Sequence, residues 1–143
     1  MKIIFDYNRT IFDPDTQELY SGAFELISVL SEKHELFLVS ANEPGRKERL
    51  IKLGITDFFK KVVFTNDKSP ELFREIIGEE KNVIVVGDRI WGEISAGNQL
   101  GYITVWIKQG KFSMEMPITK KQRPKHVINN ISELKEIIDQ YEK

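Results

Sequence analysis

The sequence contains no cysteine, only two histidines and no long apolar run. Without cysteine the chain has no disulfides, cysteine-ligated zinc, iron–sulfur cluster or cysteine nucleophile. Its first apolar segment, Ile3-Ile4-Phe5, ends at an acid, and the run at residues 83–86 is only one residue longer. Both fall far below a signal-peptide core or the ~20 residues of a membrane helix. The sequence therefore predicts a soluble, cytoplasmic protein that makes no use of a membrane.

The chain also lacks a surplus of either charge, with 21 Lys plus Arg against 22 Asp plus Glu and a formal net charge of −1. A near-neutral total disfavours a dedicated nucleic-acid-binding protein, although a local basic patch is compatible with it. The 143 residues are 41% hydrophobic and 30% charged, which is a globular composition. This length predicts one domain over residues 1–143.

Short β-rich segments alternate with amphipathic helical segments along the chain. The predicted strands cover residues 2–5, 35–39, 62–65, 82–86, 102–107 and 126–128. The predicted helices cover residues 20–32, 44–53, 69–77, 90–100 and 132–141. Such alternation indicates βαβ units, and strands without polar alternation are typical of a sheet covered on both faces. We therefore expect an α/β fold, a three-layer Rossmann-like domain with a mainly parallel sheet of five or six strands.

Polar residues stand where several predicted strands end. Asp6 follows the first strand, Ser40 the second and Asp88 the fourth. Ligands of open α/β sheets bind beyond the carboxyl ends of the strands, so these side chains are expected to share one site. Two carboxylates suit Mg²⁺, and a hydroxyl with the Lys68 ammonium suits a phosphoryl group. Taken singly, each residue equally suits a helix cap, a turn or the surface; only the set favours a function.

Four ordered segments carry a resemblance to a known family. DYNRT at 6–10, LVSAN at 38–42, KSP at 68–70 and VGD at 86–88 followed by Glu93 resemble the motifs of the haloacid dehalogenase-like (HAD) hydrolases. The resemblance implies a Mg²⁺-dependent phosphatase that forms an aspartyl-phosphate on Asp6. The similarity extends from residue 2 to about residue 107 of the sequence.

The resemblance also implies roles for individual residues. Asp6, Asn8 and Lys68 would be catalytic. Mg²⁺ would be held by Asp6, by the backbone carbonyl of Asn8 and by Asp88, with Glu93 acting through a metal-bound water. The residues implied for the phosphoryl group and its turn are Thr10, Ser40, Ala41, Asn42 and Lys68.

Asn8 departs from the family pattern. Phosphatases of this family usually have an aspartate two residues after the nucleophile, as the general acid for the leaving group. An amide cannot supply a proton near neutral pH, and general acid–base help is typically worth ~10²–10⁴ in rate. Asn8 therefore predicts slow turnover, a substrate with a good leaving group, or a general acid supplied from elsewhere. The alternative is a non-catalytic HAD-like domain that binds metal or phosphoryl groups or has a regulatory role.

The predicted elements leave no room for a cap module, so the HAD-like domain over residues 1–143 is expected to have an open site. An open site suits a phosphorylated small molecule or macromolecule, or closure by a second copy in a homo-oligomer. The predicted loop over residues 108–125 holds six basic residues against Glu115. This basic loop either attracts an anionic substrate or is an ordinary solvated loop.

The sequence leaves the roles of three further residues near the predicted site undecided. Trp91 suits either core packing or an aromatic rim beside the site. For Arg9 and Arg89 the sequence favours surface or loop contacts over contact with substrate.

Overall fold

The computed structural model describes residues 1–142 of the chain. Six strands form one sheet: β1 (Lys2–Phe5), β4 (Glu35–Ser40), β5 (Lys61–Phe64), β6 (Val83–Gly87), β7 (Ile103–Ile107) and β8 (His126–Ile128). Two short strands, β2 (Phe12–Asp13) and β3 (Glu18–Leu19), pair as an antiparallel hairpin. The helices are α1 (Ala23–Ser31), α2 (Arg46–Leu53), α3 (Pro70–Ile77), α4 (Ser95–Gln99) and α5 (Leu134–Tyr141).

The order of the sheet is β5-β4-β1-β6-β7-β8, and every neighbouring pair is parallel. Strand β1 lies between β4 and β6, with Phe5 opposite Leu38 on one side and Val86 on the other. Parallel neighbours bring their carboxyl ends to the same edge. The residues that follow these three strands therefore meet at the centre of that edge.

The helices cover the sheet on both faces because successive strand residues point to opposite sides. Ile3 and Phe5 pack in a core with residues of α1 and α5. Ile4 packs on the other face, with Phe73 of α3 and Ala96 of α4. These two apolar cores give the three layers that the sequence predicts, and the fold class is confirmed.

Several predicted boundaries were wrong, and left-handed glycines explain two of them. Helix α1 begins at Ala23 rather than at residue 20, after Gly22 with φ 84°. Helix α2 begins at Arg46 rather than at residue 44, after Gly45 with φ 78°. At such positive φ values glycine readily adopts a left-handed backbone conformation that other residues rarely occupy. This conformation is not helical, so each helix begins only after its glycine.

The largest corrections concern one helix and one hairpin. The predicted helix over residues 90–100 is a π-helical turn, Ile90–Ile94, followed by α4, because Gly92 has non-helical angles of φ −115° and ψ −111°. The hairpin β2–β3 was not predicted, since two-residue strands have too few positions to show an alternating pattern. Within residues 1–142, no helix has both the length and the apolar content needed to cross a bilayer.

Candidate functional site

Three buried carboxylates meet at the carboxyl edge of the sheet. Asp6 follows β1, Asp88 follows β6, and Glu93 lies in the π-helical turn just after it. One oxygen from each lies within 4.8 Å of the others. Such a group of like charges is unfavourable by itself and needs cations close by.

Among the described residues, two cations contact this cluster. The Lys68 ammonium donates a hydrogen bond to Oδ1 of Asp6. The Arg9 Nε lies 2.8 Å from Oδ2 of Asp88. Lys68 is presented just ahead of α3, whose first turn is capped by the Ser69 hydroxyl accepting from the Leu72 N–H at 3.2 Å. The cap that the sequence predicts at Ser69 is confirmed, and it fixes the start of the helix beside the lysine.

The surroundings shift the pKa values of the cluster in different directions. Burial, together with the charge of Asp6, raises the pKa of Asp88 to about 8. Burial and the same charge raise the pKa of Glu93 to about 7. Burial alone would also raise the pKa of Asp6, but the Lys68 ammonium, together with hydrogen bonds from Asp88 and from the Tyr7 backbone, outweighs it and holds that pKa below its ordinary value. Asp6 is therefore the acid most strongly held as a carboxylate.

The donor set fits a divalent cation. All three groups offer carboxylate oxygens, the ligands that Mg²⁺ and Ca²⁺ prefer. The Oδ1 atom of Asp88 is buried and has no hydrogen-bond partner among the described residues. A Cβ atom at Gly87 would lie 2.1 Å from Oε1 of Glu93, so glycine is needed there for Glu93 to reach the cluster. The three carboxylates could hold a metal ion, with Oδ1 of Asp88 available to it.

A cleft of about 380 Å³ opens over the cluster. Six of the residues predicted for the site line this cleft: Asp6, Asn8, Ala41, Lys68, Asp88 and Glu93. Their convergence follows from the sheet order, since they come from the ends of neighbouring strands or from the segment before α3.

Three predicted residues do not line the cleft. Ser40 is fully buried, and its hydroxyl accepts a hydrogen bond from Arg46. Thr10 is also fully buried, and its hydroxyl lies 3.4 Å from Oδ2 of Asp6, where it braces the turn after β1. The backbone N–H of Asn42 donates to the Asn66 side chain at 3.1 Å.

Arg46 explains why Ser40 is covered. It stands at the start of α2, and its guanidinium lies 4.4 Å from the centroid of the Tyr7 ring while bonding Ser40 and Glu43. The sequence gives no local signal for this contact. The pattern of α2 shows only an arginine near a helix start, where many arginines are exposed.

The contact of Arg9 with Asp88 was also missed, because the sequence favours only unspecified surface or loop contacts for Arg9. The residue has a left-handed φ of 60°, which turns its side chain towards Asp88. Its position three residues after Asp6, in the same turn, is the one signal that could have indicated the contact.

The basic loop is attached to the rim of the cleft. The Phe112 ring lies beneath two guanidinium groups, with its centroid 4.9 Å from Arg9 and 3.8 Å from Arg89. Glu115 accepts hydrogen bonds from the Arg89 Nε at 3.0 Å and from the Ile90 N–H at 2.8 Å. The first half of this loop is thus packed against the π-helical turn rather than fully solvated.

Comparison with known proteins agrees with this geometry. The HAD-hydrolase-like family matches residues 68–134, a little under half of the chain. YfnB from Bacillus subtilis, described as a HAD-hydrolase and bound to magnesium, has a TM-score of 0.69 and 26% identity, covering 85% of this chain and 56% of that one. These findings support the assignment of the chain to the HAD-like superfamily. The resemblance in the sequence, the family match and the fold all agree on it.

Two curated relatives are named as phosphatases. A glyceraldehyde 3-phosphate phosphatase of Pyrococcus furiosus is 24% identical over 146 residues, covering 95% of this chain and 60% of that protein. One of the same name from Methanopyrus kandleri is 30% identical over 100 residues, covering 64% of this chain and 43% of that protein. The chain therefore spans only part of the length of these relatives.

Proposed function

We propose that this chain is a Mg²⁺-dependent phosphohydrolase that cleaves phosphate esters through an aspartyl-phosphate on Asp6. The observation that carries the proposal is the cluster of Asp6, Asp88 and Glu93 with Lys68 bonded to Asp6, at the base of the cleft. The phosphatase names of the relatives support the same class of reaction.

The low pKa of Asp6 suits it to act as the nucleophile. Its carboxylate attacks phosphorus, the bond between phosphorus and the ester oxygen breaks, and the phosphoryl group is carried on Asp6. Lys68 neutralises charge next to the reacting oxygens. Asp6, Asp88 and Glu93 would hold Mg²⁺, which would supply neutralisation of the phosphoryl oxygens. Water then attacks the same phosphorus, releasing phosphate and restoring the Asp6 carboxylate.

The leaving group receives no proton from position 8. Asn8 lines the cleft, but its amide has no acidic proton to give near neutral pH. The departing oxygen therefore takes its proton from solvent. We expect aryl phosphates, whose leaving groups need little protonation, to be cleaved faster than alkyl phosphates.

The direct test is release of phosphate from p-nitrophenyl phosphate in the presence of Mg²⁺, compared with the same reaction of an Asp6→Asn variant. Asn has nearly the shape of Asp but cannot attack phosphorus, so the variant should be inactive while remaining folded. Activity of the wild-type protein no higher than that of this variant, over a panel of esters, would overturn the catalytic proposal.

Asn8 is also the observation that favours a second candidate, a non-catalytic domain that binds metal and phosphoryl groups. That candidate expects Mg²⁺ to stabilise the wild-type protein but not an Asp88→Asn variant, with no phosphate released by either. Calorimetric titration with Mg²⁺ beside the phosphate assay separates the two candidates.

A further inference from the structure

Trp91 is a large aromatic residue left at the surface of the cleft. It is 49% exposed, and it lines the cleft whose base holds Asp6. The structure thus decides between the two readings that the sequence leaves open, in favour of a rim beside the site. The second tryptophan of the chain, Trp106, is 6% exposed and packs with Ile90 and Ile94.

The position of Trp91 follows from the backbone of the π-helical turn. Gly92 has angles that no helix uses, and it stands between Trp91 and Glu93. As a result Glu93 is 3% exposed and reaches the carboxylate cluster, while Trp91 remains half exposed at the cleft. One turn thus supplies both an acid for the carboxylate cluster and an aromatic surface next to it.

The Trp91 side chain is held in place by the basic loop. Its indole N–H donates to the backbone carbonyl of Met116 at 2.9 Å. The neighbouring Glu115 bonds the Ile90 N–H and the Arg89 side chain, which fastens the loop to both residues before Trp91. An aromatic ring that is already immobilised loses little entropy when it binds a ligand, so it is suited to recognition.

We propose that Trp91 is a stacking platform for a planar aromatic ring carried by the leaving group, so that the preferred substrates are phosphomonoesters of nucleosides or of phenols. The inference rests on the proposed function, because it places the phosphoryl group at Asp6. A cleft of about 380 Å³ has room for a phosphoryl group and a ring system. Stacking on an aromatic side chain tolerates many bases, since each offers a π-face.

The test compares AMP with ribose 5-phosphate, which shares the phosphoribose part and lacks the base. In the wild-type protein kcat/KM for AMP should exceed that for ribose 5-phosphate by about tenfold, the gain expected from one stacked base. Trp91→Leu should remove this preference, and Trp91→Phe should retain most of it. Ile51→Ala, at an exposed apolar residue of α2, is the matched control and should leave the preference unchanged.

Tryptophan fluorescence of an Asp6→Asn protein measures binding apart from turnover. AMP should quench the emission and ribose 5-phosphate should not, and the quenching should vanish in an Asp6→Asn, Trp91→Phe double variant, where only buried Trp106 emits. Quenching of this variant by AMP, together with no hydrolysis of any ester by the wild-type protein, would refute the proposed function and support the platform. Phenyl phosphate in the same titration distinguishes an aryl group from a nucleobase as the stacked ring.

Two results would overturn the platform while leaving the phosphatase proposal standing. One is equal hydrolysis of AMP and ribose 5-phosphate with no change in fluorescence. The other is a higher kcat/KM for glyceraldehyde 3-phosphate than for AMP and phenyl phosphate, since the substrate in the relatives' names has no ring.

Discussion

Replacing Asp88 by Asn should stabilise the metal-free protein while removing its stabilisation by Mg²⁺. Asp88 is 1% exposed, and an oxygen of its carboxylate lies within 4.8 Å of oxygens of both Asp6 and Glu93. Burial and the charge of Asp6 raise its pKa to about 8, so the folded state favours the uncharged form. An Asn keeps the shape, accepts from Arg9 and donates its amide protons to the neighbouring carboxylates.

The size of the effect follows from Coulomb's law. An ionised Asp88 would be repelled by one neighbouring unit charge at 4.8 Å by about 3.5 kcal/mol at an effective dielectric constant of about 20, and above its ordinary pKa the wild-type protein pays either this repulsion or the cost of holding a proton. The ion pair with Arg9, at 2.8 Å, offsets part of the repulsion from the two neighbouring acids. We therefore expect the free energy of unfolding without metal to rise by about 1–3 kcal/mol. For a chain of this size each kcal/mol should raise Tm by roughly 4 °C.

The effect depends on pH with a definite sign. The ordinary pKa of Asp88 is 3.8 and its folded-state pKa is about 8. Between these values the folded protein holds a proton that the unfolded chain has lost, so wild-type stability falls as pH rises through this window. The Asn variant does not lose stability in this way. The difference in free energy of unfolding between the Asn variant and the wild-type protein should therefore widen from about pH 5 to about pH 8.

The assay is thermal unfolding followed by circular dichroism, in EDTA and in excess Mg²⁺, at both ends of that window. Mg²⁺ at 100 times its Kd should add about 2.7 kcal/mol to the wild-type protein and nothing to Asp88→Asn. Asp57→Asn, at an exposed acid outside the cleft, is the control. The reasoning is refuted if Asp88→Asn unfolds at a lower temperature than this control in EDTA, or if it keeps the Mg²⁺ response.

Three other substitutions test separate parts of the site. Asn8→Asp should raise kcat for alkyl phosphates by ~10² or more, because it supplies a general acid, and much less for aryl phosphates; an equal rise for both kinds of ester would contradict this account. Gly87→Ala should cost about 1–3 kcal/mol in a urea titration and weaken the Mg²⁺ response, because the new Cβ would lie 2.1 Å from Glu93 Oε1; an unchanged protein would disprove the role of Gly87. Ser69→Ala should cost about 1 kcal/mol in the same titration because the Leu72 N–H loses its acceptor, whereas Ser69→Asp should cost little; equal losses would exclude the cap as the cause.

The elements of this fold that the sequence predicted well are those with local signals. The predicted strands at residues 2–5 and 126–128 match β1 and β8 without a shift. Each is a short segment whose two ends are marked by residues of the segment's own neighbourhood in the sequence. The Ser69-Pro70 pair marked the start of α3 because capping involves neighbouring residues alone. Asp6, Lys68 and Asp88 were predicted to share a site because parallel strands end at one edge of a sheet.

Contacts between residues far apart in the chain had no such signal. Arg9 and Asp88 are 79 positions apart, and Trp91 and Met116 are 25 apart. The burial of Ser40 under Arg46 depends on how the chain turns between β4 and α2, and the separation of Trp91 from Glu93 depends on the backbone angles of Gly92.

The sequence by itself therefore determined the layers of the fold and which acids, with Lys68, lie at the carboxyl edge, since both follow from local patterns and from the geometry of parallel strands. Only the tertiary structure decided that Arg9 pairs with Asp88, that Arg46 covers Ser40 and that Trp91 lines the cleft. The physical reason is that each of these depends on side-chain packing between separate elements, which a periodic pattern along one segment does not record.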